Sequence, residues 1–304
     1  MGEKLNRENY AEFLWPNFSR IIGEGYEEKP LEYTNLFKVE DSDSAYEKYK
    51  ELNGLPVWQE NYEGQPINIA ERSKGFEITI YNKRFDQGFE MTWEYVSDNK
   101  EKMMKGKGFT DEARMLGRGC RVKQEMTSAE IINKGFTNVG YDGVALFSEA
   151  HPLTAGGTGS NTTTTDTELN YTNLTKAITA MADQRDNTGI KIQVKADKLF
   201  VASNLYFTAL TLINSALVPG TNNNDKNVIG KVAPLTVHQM SYFDDGIWVL
   251  KDSSIDNLIF LWREQPLFDK ERIPGTYDTR VFGLARWGVG YRDWRGLYGV
   301  KHTA

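Results

Sequence analysis

The chain has 304 residues, of which 39% are hydrophobic and 12% aromatic, and this composition excludes an intrinsically disordered protein. Its formal net charge of −6 argues against adhesion of the whole chain to nucleic acid, because phosphate binding requires an excess of lysine and arginine. No apolar run approaches the roughly 18 residues that span a bilayer, and the first residues lack the apolar stretch of a signal peptide, so we expect a cytoplasmic protein without membrane contact.

The first 53 residues are polar, with scattered aromatic side chains and no sustained hydrophobic period. Gly23, Gly25 and Pro30 are expected to break any long element in this segment. Residues 44–52 are highly charged and predict a short helix. We interpret the segment as an arm that lies on another surface rather than as a self-sufficient core.

Residues 54–95 contain apolar positions that alternate with polar ones, as at Phe76, Ile78 and Ile80. This period of two, with β-branched and aromatic side chains, is typical of strands. Turn residues at 63–66 and 73–75 predict that the strands form a long hairpin. A hairpin alone is marginally stable in water, so we expect another subunit to supply its partner surface.

Residues 96–136 predict a helix, because apolar side chains from Phe109 to Cys120 fall at helical spacing. Interior glycines weaken the prediction, which is most secure from 110 to 133. Cys120 is the only cysteine, which excludes an intramolecular disulfide framework and a zinc site with several cysteines. It lies on the apolar face and is expected to act as a buried small hydrophobe.

The second half of the chain alternates helix and strand patterns. One helix is expected to be capped near Asn170 or Thr172, and the next begins after Ser203 and stops at Pro219. Strands are predicted at 190–194, 199–202, 228–237, 246–250, 258–268 and 279–291.

The histidines do not form a recognisable catalytic or metal motif. His151, His238 and His302 are too few and too scattered for a metal cluster, and neither H-E-x-x-H nor C-x-x-C occurs. Asp142, Ser148 and His151 invite a catalytic triad, but one short loop does not easily align three side chains, and the G-x-S-x-G elbow is absent. We therefore predict no catalytic, cofactor or metal site and interpret His151 as a turn or strand-end residue.

Four arginines near the C-terminus interleave with aromatic side chains, a pattern that can bind nucleic acid through charge and stacking. The alternative is a strand whose arginines meet acidic partners, and we favour it. The arginines are Arg280, Arg286, Arg292 and Arg295, and the aromatic residues are Trp287, Tyr291 and Trp294.

The order of the sequence blocks resembles that of the major capsid proteins of tailed bacteriophages. After a polar arm, a hairpin and a long helix comes D-G-V-A-L-F-S-E-A-H-P-L at 142–153, which is similar to a D-G-x-x-L-F-x-x-x-H-P-L block of a prophage group in that family. The resemblance covers roughly residues 56–301. Further similar blocks are T-S-A-E-I-I-N-K-G-F at 127–136, K-A-D-K-L-F-V-A-S-N-L-Y-F-T-A at 195–209, N-N-D-K-N-V at 223–228 and R-D-W-R-G-L-Y-G at 292–299.

The resemblance implies the Hong Kong 97-type fold, which is an α+β shell fold. The implied parts are an N-arm at 1–53, an E-loop hairpin at 54–95, a P-domain at 96–165 and 257–304 with a spine helix at about 98–134, and an A-domain at 166–256. The implied function is that of a major capsid (head) protein, not an enzyme, which self-assembles into pentamers and hexamers of an icosahedral shell enclosing double-stranded DNA. The implied partners are further copies, a scaffolding protein, a portal, decoration proteins and non-specifically contacted packaged DNA, in a virion assembled in the host cytoplasm.

Within this frame, we expect basic residues of the hairpin to contact acidic residues of a neighbouring subunit. The basic candidates are Arg72, Lys74, Lys83 and Arg84, and the acidic candidates are Glu264, Asp269 and Glu271. Two alternatives stay open: an encapsulin-like nanocompartment shell that holds enzymes instead of DNA, and a hydrolase that uses His151.

Overall fold

The computed structural model describes residues 10–52, 57–69, 74–98, 110–153, 156–163, 167–220 and 225–302. Its main elements are two four-stranded sheets and one long helix. The helices are α1 (Tyr10–Glu27), α2 (Tyr33–Leu36), α3 (Trp93–Asp98), α4 (Thr110–Asn133), α5 (Tyr171–Ala182), α6 (Tyr206–Asn214) and α7 (Ile229–Val232), with a 3₁₀ turn at Ser203–Leu205. The strands are β1 (Lys38–Asp41), β2 (Tyr46–Leu52), β3 (Lys74–Tyr81), β4 (Lys83–Met91), β5 (His151–Pro152), β6 (Thr158–Gly159), β7 (Lys198–Ala202), β8 (Thr236–Met240), β9 (Ile247–Lys251), β10 (Leu258–Arg272), β11 (Thr279–Tyr291) and β12 (Leu297–Lys301).

The first sheet has the strand order β1-β10-β11-β4, and the second has the order β12-β9-β7-β8. Within them, β1 runs parallel to β10 and β7 runs parallel to β8, while the other neighbours are antiparallel. Two smaller sheets pair β2 with β3 and β5 with β6. The last strand therefore returns to the second sheet after two long strands in the first.

One core lies where the two sheets and α4 meet. Phe200 and Val249 reach it from the second sheet, Phe260 and Trp287 from the first, and Ile132 from α4. A second cluster of buried side chains covers the other side of the second sheet, under α5 and α6.

Several sequence predictions are confirmed. The helix most secure at 110–133 is α4, and the two long C-terminal strands are β10 and β11. The cap of α5 is Asn170, whose side-chain oxygen accepts a hydrogen bond from the backbone N–H of Asn173 at 2.9 Å. These elements were predictable because their patterns are local.

Gly23 and Gly25 were expected to break any long N-terminal element, but both lie within α1, so that expectation was wrong for them, and Pro30 follows the end of the helix. A Cβ on Gly25 would lie 2.2 Å from the backbone oxygen of Arg114, and one on Gly117 would lie 2.0 Å from that of Ile22. These two glycines let α1 and α4 cross with their backbones in close contact. The free energy of that contact offsets the low helix propensity of glycine.

The observed hairpin pairs β2 with β3, whereas the prediction placed both of its strands within residues 54–95. Residues 44–52 contain strand β2 and not a helix, and Lys48 of β2 pairs with Glu77 of β3 at 2.9 Å. The turn expected at 73–75 is the start of β3, at Lys74. Cross-strand partners decide strand formation, and a charged local sequence does not reveal them.

Three predictions in the second half were wrong in detail. Residues 190–194 form no strand, because the Asp186 carboxylate accepts the backbone N–H groups of Thr188 and Ile190. Helix α6 ends at Asn214, before Pro219, where the side chain of Asn227 satisfies the backbone oxygen of Leu212. The strand expected at 228–237 is divided into the short helix α7 and strand β8.

The short helix α2 lies in the segment interpreted as an arm, and it packs into the chain's own core. Tyr33 and Leu36 are almost completely buried, and the Tyr33 ring stacks on Phe260 with 4.5 Å between centroids. At the start of α2, the Glu125 carboxylate of α4 accepts the backbone N–H groups of Glu32 at 2.9 Å and Tyr33 at 3.0 Å.

Two lysines of the second sheet hold the other end of α2. The Lys198 ammonium donates to the backbone oxygen of Asn35 at 3.1 Å, and the Lys251 ammonium donates to that of Leu36. Because α2 is a single turn, it cannot satisfy these groups itself. The segment is thus fixed to α4 at one end and to the second sheet at the other.

The α1–α4 crossing predicts that replacing two glycines of α4 by alanine has opposite effects on the free energy of unfolding. We expect Gly117→Ala to lower the free energy of unfolding by about 1–3 kcal/mol, because the methyl group overpacks the contact with Ile22. Gly119→Ala is the matched control: its Cβ meets nothing within 4 Å, so it should be neutral or up to about 1 kcal/mol stabilising. Urea unfolding measures both, and equal effects would contradict the crossing.

The Glu125 contact predicts a pH dependence. Burial raises the pKa of Glu125 from 4.5 to about 7, despite the backbone N–H groups that lower it. The folded chain then binds a proton more tightly than the unfolded chain, so this group's contribution to stability is lost as pH rises from about 4.5 to about 7. Unfolding of Glu125→Gln across this range should lack that component, and identical pH profiles for the two proteins would refute the prediction.

Candidate functional site

The segment between α4 and β6 gathers the side chains that suggested catalysis. His151 is 1% exposed, and its Nδ1 lies 2.6 Å from Oδ2 of Asp142. Its Nε2 lies 3.1 Å from Oδ1 of Asn161, and its ring stacks on Trp294 with 4.2 Å between centroids and planes 6° apart. The structure therefore brings two of the three candidate triad residues together.

Ser148, the third candidate, does not face the histidine. Its backbone N–H donates to Oδ1 of Asn161 at 2.9 Å, and its hydroxyl accepts the backbone N–H of Ala150 at 3.2 Å. The group opposite His151 Nε2 is an amide oxygen, which cannot serve as the nucleophile of acyl transfer. The Asp142–His151 pair is therefore built for structure rather than for catalysis.

Asn161 is the residue that sequence reasoning missed, since it lies in a loop notable only for glycine and threonine. Its side-chain Nδ2 donates to the backbone oxygens of Leu146 at 2.8 Å and Trp294 at 3.3 Å. Its backbone oxygen accepts the N–H of Gly299 in β12 at 3.0 Å. One fully buried residue thus connects the segment after α4, through its side chain, to the C-terminal strand, through its backbone oxygen.

Five of the seven charged candidates lie on the first sheet, on strands β4 and β10. Lys83 and Arg84 begin β4, and the three acidic candidates lie along β10, two strands away. Lys74 begins β3, and Arg72 lies outside the described residues. In register, Arg84 stands opposite Arg286, which stands opposite Glu264.

Two acidic candidates already have partners within the chain. Glu264 pairs with Arg286 at 3.1 Å, and Glu271 pairs with Arg280 at 2.6 Å. Exposed pairs of this kind contribute about 0–1 kcal/mol each. Among the described residues, Lys83 and Asp269 are exposed and make no ion pair, which leaves them as the candidates for a contact with another copy.

The interleaved arginines near the C-terminus meet carboxylates, as the favoured interpretation predicted. Arg280 also contacts Glu90, Arg292 pairs with Glu40, and Arg295 pairs with Asp293 at 3.0 Å. This pairing leaves little free positive charge on residues 280–295 for binding phosphate.

An exposed apolar surface lies between β2 and β3, in residues 57–69. Trp58 is 98% exposed, and Asn61 holds the loop by donating from its side chain to the backbone oxygen of Pro66 at 2.7 Å. Exposed apolar groups of this size commonly mark interaction sites. Its large exposed apolar residues are Val57, Trp58, Tyr62, Ile67 and Ile69.

A cavity of about 600 Å³ lies between α4 and the inner face of the first sheet. Phe85, Leu116, Phe268 and Trp287 contribute apolar walls, and Cys120 lines it as well. Burial raises the pKa of the Cys120 thiol, and the Gln124 side chain lies 3.4 Å from its sulfur. A thiol in this setting fits the expected small hydrophobe better than a reactive nucleophile.

The described ranges contain neither a metal-binding cluster nor a helix that could span a membrane. No three histidine, cysteine or acidic side chains there lie close enough to hold a metal ion. None of the described helices combines the length and the hydropathy needed to cross a bilayer.

Comparisons with known proteins match this fold and sequence. A family model described as phage capsid protein matches residues 77–300. The Mu-like prophage FluMu major head subunit of Haemophilus influenzae is 26% identical over 148 residues, which are 49% of this chain and 46% of that protein. The chain thus spans about half the length of the curated relative that it matches.

Solved capsid structures have the same fold. The cyanophage P-SCSP1u capsid protein is 13% identical with a TM-score of 0.59, over 90% of this chain and 89% of that one. The bacteriophage JBD30 procapsid protein is 17% identical with a TM-score of 0.50, over 97% of this chain and 75% of that one.

At these identities the structural matches show the fold alone, and they confirm the predicted Hong Kong 97-type α+β architecture. The family model covers most of the chain and confirms the predicted kind of protein, a structural capsid component rather than an enzyme. By this match, the chain belongs to the phage capsid protein family.

Proposed function

We propose that the chain is the major head protein of a tailed phage or prophage and assembles into an icosahedral shell around double-stranded DNA. The observation that carries the proposal is the capsid family match across residues 77–300. Closed shells built from one chain need pentamers and hexamers whose contacts vary slightly, and extended segments supply that latitude.

The exposed loop at 57–69 supports assembly through the hairpin. Strands β2 and β3 form a two-stranded sheet whose Ile80 packs against Ile259 and Leu261 of the first sheet, while every residue of the loop at 57–69 is exposed. Trp58 and its apolar neighbours would remain in water in an isolated subunit. A neighbouring subunit that covers them would gain about 25 cal/mol for each Å² of apolar surface removed from water.

We keep the four-part division as a proposal, with an N-arm at 1–53, an E-loop at 54–95, a P-domain at 96–165 and 257–304, and an A-domain at 166–256. The second cluster of buried side chains supports a core of the A-domain, whereas the first cluster is shared, because Phe200 and Val249 of the A-domain join Phe260 and Trp287 of the P-domain in it. Strand β12 pairs with β9, so the last segment of the proposed P-domain also contributes to the sheet of the A-domain.

We further propose that basic hairpin residues contact acidic residues of β10 on a neighbouring subunit. Lys83 and Asp269 carry this proposal, because both are exposed and neither makes an ion pair among the described residues. Arg84, Glu264 and Glu271 already have partners in the chain and would have to exchange them.

The proposed further partners are a scaffolding protein, a portal and decoration proteins, with assembly in the host cytoplasm. One similar structure is a bacteriophage JBD30 capsid decorated with minor capsid protein trimers, which supports a decorated shell for this chain as well. Its protein is 16% identical to this chain, and the match covers 71% of this chain and 92% of that one. The DNA inside would be contacted without sequence specificity.

Expression of the chain followed by size-exclusion chromatography and negative-stain microscopy tests the main proposal. Hollow particles on the order of tens of nanometres are expected, since the contacts must close into a shell. A monomer or dimer whose hydrolytic activity is lost in His151→Ala would overturn the proposal in favour of an enzyme. Particles purified from the natural host that hold enzymes and no DNA would overturn it in favour of a nanocompartment.

A charge swap tests the proposed contact. Lys83→Glu and Asp269→Lys should each reduce the yield of particles at low salt, because each opposes like charges across the contact. The double variant should regain yield, and Lys176→Glu, an exposed lysine of α5, is the matched control. Sedimentation measures the assembled fraction, and wild-type assembly by both single variants would exclude this pair.

A further inference from the structure

The cavity of about 600 Å³ beside α4 is lined on its other side by β4, and we name it the α4–β4 groove. Leu116 and Phe268 give it apolar walls, and Met115, which also lines it, is 66% exposed, so the groove opens to solvent. A second cavity of about 450 Å³ lies between the same two elements and shares Phe85 and Trp287 with the groove. These two rings stack with 3.9 Å between centroids and form a common wall.

This wall contains a buried N–H group that no described residue accepts. Trp287 is 1% exposed, and its Nε1 has no hydrogen-bond partner among the described residues. A buried N–H group is costly unless it is bonded, and nearly all such groups in folded proteins have an acceptor. Because Trp287 lines both cavities, a chain segment bound there would bring carbonyl oxygens close to this ring. The unsatisfied indole therefore points to an occupant of the groove.

The loop at 57–69 has the apolar surface that such an occupant needs. Trp58 is 98% exposed, and Val57 beside it is 64% exposed. Pockets of about 300–1,000 Å³ hold ligands larger than one indole, so the groove has room for the Trp58 side chain. Burial of an aromatic side chain of this size is a large part of the binding energy of many interfaces.

The charges of the loop and the groove are complementary. The loop carries Glu60 and Glu63 and contains no lysine or arginine. In the groove, Arg84 and Asp86 pair with each other at 2.7 Å. The remaining charged residue of its lining is Lys123, which is exposed and makes no ion pair among the described residues. An acidic loop and an unpaired lysine favour association.

The loop that fills the groove must come from another copy. In its own chain Trp58 is almost fully exposed, so it lies outside the groove. Leu52 pairs with Lys74 at the loop end of the hairpin, and Tyr46 pairs with Tyr81 at the end next to β4. The length of β3 separates these ends by roughly 23 Å. The loop and the groove of one chain thus lie at opposite ends of the hairpin.

We propose that Trp58 of one copy occupies the α4–β4 groove of the next copy, with Glu60 facing Lys123. This inference rests on the proposed self-assembly and names the surface that receives the loop. Each copy offers one loop and one groove, and these are unlike surfaces at different places on the chain. Such a contact is heterologous, so it repeats head to tail and closes into rings instead of stopping at pairs.

Cysteine cross-linking of assembled particles tests the proposal. Gln59→Cys and Met115→Cys are combined in a Cys120→Ala chain, which lacks the native cysteine and keeps Trp58. A short bismaleimide should join the two introduced thiols between copies and give a ladder of dimers, trimers and larger species on a denaturing gel. Trp58→Ala in the same chain should slow this reaction roughly tenfold or more, as truncation of a central tryptophan commonly does.

Met126→Cys in place of Met115→Cys is the matched control. Met126 is a half-exposed methionine of the same helix, lines neither cavity and lies about 16 Å further along α4. It should give no ladder, and neither should chains with a single introduced cysteine.

Particles that form without a Gln59→Cys and Met115→Cys ladder would overturn the docking site and leave the assembly proposal standing. An equal ladder in the Met126→Cys control would also overturn it, because the loop would then not be localised at the groove. Cross-linking that stops at dimers would contradict the head-to-tail contact. A chain that stays monomeric without cross-links would overturn the proposed function and this contact together.

Discussion

Irregular backbone that is buried between two sheets needs hydrogen-bond partners that neither sheet supplies. Helix α2 obtains them from Glu125 at one end and from Lys198 and Lys251 at the other. The segment after α4 obtains them from Asn161. Burying such polar side chains is costly unless they are fully bonded, so each must sit where its partners are. The arrangement of the two sheets therefore depends on a few polar side chains as well as on the shared apolar core.

The surface of the chain shows the opposite situation, because there it is apolar side chains that are exposed to water. Apolar side chains at 57–69 stand in water, while the buried polar side chains of Glu125, Lys251 and Asn161 are hydrogen-bonded. In a family of capsid proteins, these two features fit a division of roles. The internal hydrogen bonds would define the shape of one subunit, and the uncovered apolar loop would gain its stability only against another copy.

The sequence predicted the parts of the fold that local patterns determine, such as α4, the long strands β10 and β11, and the cap at Asn170. The resemblance to the capsid family was visible in the order of the sequence blocks, above all in the block at 142–153. Partners distant in sequence were not predictable: β2 depends on β3, and α1 depends on a crossing where Gly25 and Gly117 admit close backbones. The role of Asn161 has no local signal, because its partners come from four separate positions along the chain.

Hydroxyl-radical footprinting with mass spectrometry tests the central claim, that this chain completes its burial by assembling with copies of itself. Oxidation of Trp58 and Tyr62 would be compared between dissociated subunits and assembled particles. The account predicts strong oxidation in the subunits, where these side chains are exposed, and marked protection in the particles. Equal oxidation of both residues in the two states would contradict it.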